Sequence, residues 1–228
     1  MWLTTLLGGV ENWAFPPVCV ACGGAGAAPR FDFCAGCEGD LPPWPPATSL
    51  IAGAPALAGG NGPLDALWSA FAYEFPVDAL IRDCKFHGRL AYAAVLGQAA
   101  ARRWQRLHHL PVQFDGLLPV PLHPSRLRER GFNQAYEMSR PFAHALGLPL
   151  LEGVAVRLIA TPPQSVLDAG QRLQNLRGAF KLRRPVNGMR IAVFDDVLTT
   201  GATLAELARV LRAAGAAQVT GFSVARVP

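Results

Sequence analysis

Charge is scarce in this chain: Asp, Glu, Lys and Arg make up 16% of its 228 residues, whereas 51% are hydrophobic. This composition excludes an intrinsically disordered chain, which has low hydrophobicity and high net charge. Long apolar runs are also lacking, since none reaches the roughly 18 residues that indicate a membrane-spanning helix. The apolar start Met1–Val10 has neither the basic residues nor the cleavage site of a signal peptide. We therefore expect a cytoplasmic protein with a short N-terminal helix.

Cysteine is rare too, and four of the five cysteines form two pairs, Cys19-x-x-Cys22 and Cys34-x-x-Cys37, separated by eleven residues. Each pair can bring two thiolates to one metal, and together they suit a structural Zn²⁺ site with four sulfur ligands. Two disulfides are the alternative, but the cytoplasm keeps thiols reduced. A redox motif would need only one pair. Four thiolates leave no open coordination position, so no catalysis is expected there. Cys84 reads as a small buried hydrophobe.

A stretch rich in Pro, Ala and Gly and without periodicity divides the chain. We expect an N-terminal helix and zinc ribbon over residues 1–45, a linker over 46–66, and an α/β domain over 67–228.

The most informative stretch begins with the apolar run Ile191–Phe194, which suits a strand buried on both faces of a parallel sheet. Asp195 and Asp196 follow, where this strand is expected to end, and open α/β sheets bind ligands at that edge. A small-residue loop containing Gly201 then leads into a helical pattern. The helix N-terminus can hold a phosphate, and the carboxylates can accept hydroxyl hydrogens. The combination favours a ribose phosphate; an ordinary turn with two solvated acids is the alternative.

A second strand–loop–helix unit is predicted further upstream. An apolar strand over Phe114–Pro121 runs into a loop with arginines at 126, 128 and 130, and helical spacing resumes at Ala135–Leu146. Arginines at a sheet edge suit bidentate phosphate binding, and pyrophosphate is the candidate anion. A solvated, Arg-rich helix start is the alternative. Lys85 and Arg89 flank another turn, which can be either an ordinary helix C-terminus or a phosphate contact.

The polar stretch from Arg157 to Asn175 has weak periodicity and lies between two predicted strands. Segments of this length in α/β domains are often functional lids. Such a lid would exclude water from a charged intermediate. Arg172 and Arg177 are candidates for positive charge there, or ordinary surface arginines.

The string Val193–Thr203 resembles the phosphoribosyl pyrophosphate (PRPP) motif of type I phosphoribosyltransferases. Almost the whole chain also resembles the ComF family of competence-associated, phosphoribosyltransferase-like proteins. The pieces that carry this resemblance are the double Cys pair with Asp40-Leu41-Pro42, Lys85–Arg89, Pro119–Leu122, Arg128–Gln134, and Gln164…Arg172…Asn175…Phe180.

The resemblance implies a type I phosphoribosyltransferase-like parallel sheet flanked by helices, with a small N-terminal zinc ribbon. It gives catalytic roles to Asp195 and Asp196, which would hold the ribose hydroxyls, and to Arg172 in a hood over Gln164–Arg177. The positions expected to bind PRPP or its phosphates are Val197, Leu198, Thr199, Thr200, Gly201, Ala202, Thr203, Pro121, Arg126, Arg130 and Lys85.

The implied function is PRPP binding, with Mg²⁺ on the pyrophosphate, in a protein of DNA uptake during natural competence. The family is often labelled an amidophosphoribosyltransferase, but that label rests on fold similarity alone. Pentosyl transfer is the candidate activity. A non-catalytic module that binds single-stranded DNA, with the PRPP pocket regulatory or vestigial, is the alternative. A net charge of +5 suits it, whereas no aromatic run accompanies the basic clusters. Single-stranded DNA and competence proteins are the expected partners.

Overall fold

The computed structural model describes residues 16–27, 31–45, 62–107, 113–160 and 176–228. The predicted N-terminal helix and Arg172 lie outside these residues. The described strands are β1 (Ala66–Ala72), β2 (Gly116–Pro119), β3 (Ala155–Arg157), β4 (Phe180–Leu182), β5 (Arg190–Leu198) and β6 (Gln218–Arg226). The described helices are α1 (Ala35–Gly39), α2 (Val77–His87), α3 (Leu90–Leu107), α4 (Pro124–Arg130), α5 (Gln134–Leu146) and α6 (Ala202–Ala213).

The main sheet has four parallel strands in the order β1-β6-β5-β2. Its central strand β5 is built on the buried run Ile191–Phe194, as the sequence predicts. The strand does not end there, however. Val197 and Leu198 continue the pairing with β6 opposite Ala225 and Arg226. Asp195 and Asp196 therefore lie inside the last part of the strand, where pairing holds their backbone rigidly.

Helices cover both faces of the sheet, as the fold prediction requires. Helices α2, α3 and α5 share one apolar core with Trp68, Phe194 and Phe222 of the sheet. Helix α6 and the β3–β4 hairpin share the other core, on the face of Ile191 and Val193. The chain thus leaves β2 toward one face and the adjacent β5 toward the other. Open α/β sheets bind ligands where this change of direction occurs, at the carboxyl ends of the two strands.

Close helix packing sets the positions of α3 and α5. Gly97 of α3 lies against the backbone of α5, and a β-carbon there would overlap the carbonyl oxygen of Met138. Beside this contact Trp104 meets Trp68 edge-on, with ring centroids 5.2 Å apart. Helix α5 follows β2 and α4 in the chain and lines a groove with the end of β2, so this packing fixes one wall of the ligand-binding edge.

The N-terminal cysteine module docks on the same face through α3 and β1. Glu38 of α1 accepts hydrogen bonds from Arg102 and Arg106, both at 3.1 Å. The segment after α1 adds to the outer edge of β1, where Trp44 N–H donates to the Ala70 carbonyl and Ala72 N–H donates to the Pro42 carbonyl. No helix in the described part of the chain is long and apolar enough to cross a membrane.

Candidate functional site

The turn between β5 and α6 has the geometry predicted for it. Gly201 adopts φ 73°, in the left-handed region that favours glycine, and α6 begins at Ala202. The Thr200 hydroxyl accepts a 3.4 Å hydrogen bond from Ala202 N–H at the helix start. The first turn of α6 carries no acidic residue. The positive end of the helix dipole therefore faces the sheet edge, and no carboxylate of the helix's own first turn neutralises it.

Asp195 and Asp196 occupy different environments because successive side chains of a strand point to opposite faces. Asp196 is buried, with 4% of its surface exposed, whereas Asp195 is half-buried. Asp195 Oδ1 accepts a 2.9 Å hydrogen bond from the Asp196 N–H. Asp196 Oδ2 forms an ion pair with Lys85 Nζ at 2.5 Å. We call Asp195 and Asp196 the acid pair.

Burial and neighbouring charges shift the pKa values of the two carboxyl groups in opposite directions. Burial raises the pKa of Asp195 well above its usual value, and the neighbouring charge of Asp196 adds to the effect. Burial alone would also raise the pKa of Asp196, but the Lys85 ammonium holds it below the usual value. The pKa of Lys85 is shifted by the same contacts. Burial lowers it, but the attraction of Asp196, and to a smaller extent of Asp195, raises it overall. At neutral pH, Lys85 and Asp196 therefore form a charged pair.

Three predicted cations meet in one cavity of about 250 Å³ beside the acid pair. We call it the cation cavity. Its lining residues are Lys85, Phe86, Gly88, Arg126, Glu129, Arg130 and Phe132. The cavity joins the end of α2 to α4, so it brings together cations that are far apart in sequence.

The segment with the three arginines is a helix, where the sequence analysis expected a loop. Pro124 stands in the first turn of α4 and the His123 side chain caps it. Arg126 and Arg130 are four residues apart, on one helical face, and both line the cation cavity; Arg128 does not. Arg126 contacts Glu129 at 3.0 Å and Arg130 contacts Gln134 at 2.5 Å.

The turn after α4 connects this helix to the end of β2. Gly131 ends α4 with φ 83°. Asn133 then caps α5 by accepting from the Ala135 N–H at 3.1 Å, and its amide donates to the Val120 carbonyl at 3.0 Å.

Pro121 lies apart from the cation cavity. It lines a neighbouring groove of about 350 Å³, and the two cavities share Phe132 as a wall.

Arg157 of β3 is a charged neighbour of the acid pair that the sequence analysis did not select. Burial lowers its pKa, and the negative charge of Asp195 acts in the opposite direction. Its guanidinium lies 5.7 Å from the centre of the Phe180 ring. Nothing in the local pattern marks this residue, because the contact depends on how the β3–β4 hairpin lies against β5.

The four paired cysteines form a cluster suited to a metal ion. Their sulfur atoms all lie within 4.8 Å of one another, and Cys22 Sγ and Cys34 Sγ are 3.8 Å apart. Cys34 also caps α1 by accepting from the Cys37 N–H at 3.4 Å. Four thiolates at this spacing fit the tetrahedral coordination of a structural Zn²⁺. Cys84 is buried elsewhere, as expected.

No family model matches this chain. It is 33% identical over 233 aligned positions to DNA utilization protein YhgH of Salmonella typhi, across 99% of this chain and 96% of that protein. It is 34% identical over 160 positions to competence protein F of Haemophilus influenzae, covering 68% of this chain and 69% of that protein. A purine phosphoribosyltransferase from Pyrococcus horikoshii Ot3 is a distant structural neighbour, with 15% identity and a TM-score of 0.35, covering 59% of this chain and 83% of that one.

The molecule is an α/β protein with a four-stranded parallel sheet, helices on both of its faces and an N-terminal four-cysteine cluster. On its similarity to YhgH and competence protein F, the chain belongs to the ComF family.

Proposed function

We propose that the carboxyl edge of β5 and β2 binds PRPP. The acid pair would hold the ribose hydroxyls, and the loop Val197–Thr203 with the start of α6 would hold the 5-phosphate. The pyrophosphate would lie against the cation cavity. The main support is the 2.5 Å contact between Lys85 and Asp196, because Lys85 also lines that cavity and so joins the two regions.

The same arrangement suits pentosyl transfer. In that reaction the bond between ribose C1 and a pyrophosphate oxygen breaks, a bond from C1 to the acceptor forms, and the acceptor loses a proton. The acid pair would fix the ring, while Arg126 and Arg130 would stabilise charge on the departing pyrophosphate. Mg²⁺ bound with the pyrophosphate would neutralise part of its charge. Arg172 remains a candidate for a further positive charge.

Calorimetric titration with PRPP and Mg²⁺ tests this proposal. We expect wild-type binding to be lost in Asp195→Asn/Asp196→Asn and kept in Glu74→Gln, which removes an exposed carboxylate just after β1. Equal affinity of the double variant and the wild type would refute a role of the acid pair in holding ribose. If the wild type binds PRPP, pyrophosphate release in the presence of candidate acceptors becomes the assay for transfer.

The names of the relatives support a place in DNA uptake or DNA use, and we extend that role to this chain. The cytoplasm is the matching compartment, since it keeps the cysteine cluster reduced.

Direct binding of single-stranded DNA is a second candidate function, and one observation favours it. No aromatic run accompanies the basic clusters along the sequence, but the fold brings Phe86 and Phe132 into the cavity that holds three cations. Phe86 is 72% exposed, as a stacking platform must be. Fluorescence anisotropy with labelled oligothymidine should show binding that weakens as salt rises and is lost in Phe86→Ala. Salt-independent binding, or equal binding by the variant, would refute this function.

A further inference from the structure

Lysine is the rarest cation in this protein. Nineteen of the 21 basic residues are arginine, and the lysines are Lys85 and Lys181 alone. Lys181 is exposed on β4, whereas the side chain of Lys85 is only 20% exposed. One of the two lysines is therefore placed at the acid pair, where its compact, flexible ammonium differs from the rigid guanidinium used elsewhere.

Lys85 reaches two subsites from one position. It stands in the last turn of α2, and its Nζ touches the buried Asp196 while its side chain lines the cation cavity with Arg126 and Arg130. Each of those arginines has a polar partner nearby on its own segment, Glu129 or Gln134. The contact of Lys85 instead crosses from α2 to β5.

The two carboxyl groups of the acid pair have different cationic neighbours. The contact with Lys85 compensates Asp196, whereas Arg157 acts on Asp195 from the other side. A sugar that approached Asp196 with its hydroxyls would share Oδ2 with Lys85. An anion entering the cation cavity would instead offer Lys85 a second negative partner, with Arg126 and Arg130 already beside it.

We propose that Lys85 is a counter-ion with two positions, paired with Asp196 when the cation cavity is empty and with a bound pyrophosphate group when it is filled. This role rests on the proposed function and adds a basis for specificity to it. The move would free Asp196 Oδ2 for a ribose hydroxyl, so the site selects ligands that carry a diol and a pyrophosphate on one molecule. Arg126 and Arg130 cannot replace Lys85 here, because neither contacts Asp196 in the ion pairs of the described residues.

Amine labelling with acetic anhydride, read by mass spectrometry at Lys85 and Lys181, tests the two positions. Acylation needs the neutral amine, so a contact that stabilises the ammonium slows the reaction. We expect Lys85 in the wild type to react more slowly than Lys181, because Lys85 is paired with Asp196 and largely buried. Asp196→Asn should speed the labelling of Lys85, and magnesium pyrophosphate added to that variant should slow it again about tenfold. Lys181 should not respond, and sodium chloride at equal ionic strength should have no effect.

Two further variants and the titration of the wild type with PRPP separate the outcomes. Asp195→Asn should speed the labelling of Lys85 less than Asp196→Asn does, because Asp195 acts on Lys85 without contacting it. Asp196→Ser gives the same test if the Asn variant does not fold. If Lys85 in the Asp196 variants is labelled equally fast with and without pyrophosphate, the pairing of Lys85 with pyrophosphate is overturned, even if the wild type binds PRPP. Failure of the wild type to bind PRPP instead removes the proposed function, on which the ribose half of this role depends.

Discussion

Replacing Lys85 by Met should destabilise the protein in a way that depends on pH. The substitution keeps an unbranched side chain of similar length but leaves the buried Asp196 without its ammonium partner. Removing one member of a buried ion pair costs about 3–5 kcal/mol of unfolding free energy. Lys85 keeps 20% of its side chain exposed, and Asp196 can take up a proton, so we expect the lower end, about 3 kcal/mol, near pH 7.

The sign of the pH dependence follows from the groups around Lys85. In the wild type Lys85 holds the pKa of Asp196 below its usual value, so stability from this carboxylate is present at neutral pH and is lost only in acid. In Lys85→Met, the burial that raises the pKa of Asp196 remains, whereas the ammonium that is the main cause lowering that pKa is gone. Arg157 stays as positive charge facing Asp195, and Tyr73 stays beside position 85. The variant should therefore lose stability relative to the wild type as pH rises, and recover part of it toward pH 5.

Urea unfolding at pH 5, 7 and 9 measures this difference. Lys181→Met is the matched control, because it removes the exposed lysine and should change stability little at any of these pH values. A loss in Lys85→Met that stays constant from pH 5 to 9 would mean that Lys85 contributes by packing alone. An electrostatic contribution of the Lys85–Asp196 ion pair to stability would then be refuted.

Three other changes probe the metal cluster, the helix packing and the tie to β2. Cys34→Ser should lower the bound zinc well below one ion per chain, as measured by elemental analysis of the purified protein. Gly97→Ala should reduce the free energy of unfolding by about 3 kcal/mol, because the added carbon meets the backbone at Met138. Asn133→Ala should cost about 2 kcal/mol in urea unfolding, since both the cap of α5 and the bond to Val120 are lost.

Matched variants control each of these results. Cys84→Ala removes a thiol outside the cluster and should leave the zinc content unchanged; full zinc binding by Cys34→Ser would contradict four-sulfur coordination. Ala94→Gly changes an exposed position of α3 and should cost only about 1 kcal/mol. A Gly97→Ala protein as stable as the wild type would contradict the close packing. Asn133→Asp keeps the cap acceptor and loses the donor, so it separates the two contributions of Asn133.

Local patterns were enough to predict the centre of the fold. The run Ile191–Phe194, the turn at Gly201 and the helical spacing after it each carry their own signal, and the strand, turn and helix form there as expected. The helical spacing over Ala135–Leu146 was likewise confirmed, since α5 covers Gln134–Leu146. Short elements were harder. Helix α4 has seven residues, and its arginines at alternate positions suggested an extended loop, although Pro124 is a helix-start signal.

The contacts that define the candidate site join residues far apart in the sequence, so the spacing of residues could not predict them. Lys85 and Asp196 are brought together only because α2 packs on one face of the sheet, with its last turn beside β5. No local pattern specifies which helix end reaches which strand. The same is true of Phe86 and Phe132, which lie in different segments but share the cation cavity. Sequence reasoning thus selected Lys85 as a phosphate contact, whereas the structure gives it a carboxylate partner.

The segment Pro42–Trp44 bonds to the outer edge of β1, and this has a consequence for solubility. Without that segment the edge strand would present free N–H and carbonyl groups, which are a template for pairing with another chain. The cysteine cluster lies just upstream and is anchored to α3 through Glu38. Metal starvation that loosens the cluster would therefore favour self-association of the protein through its own sheet, even with the ligand-binding edge intact.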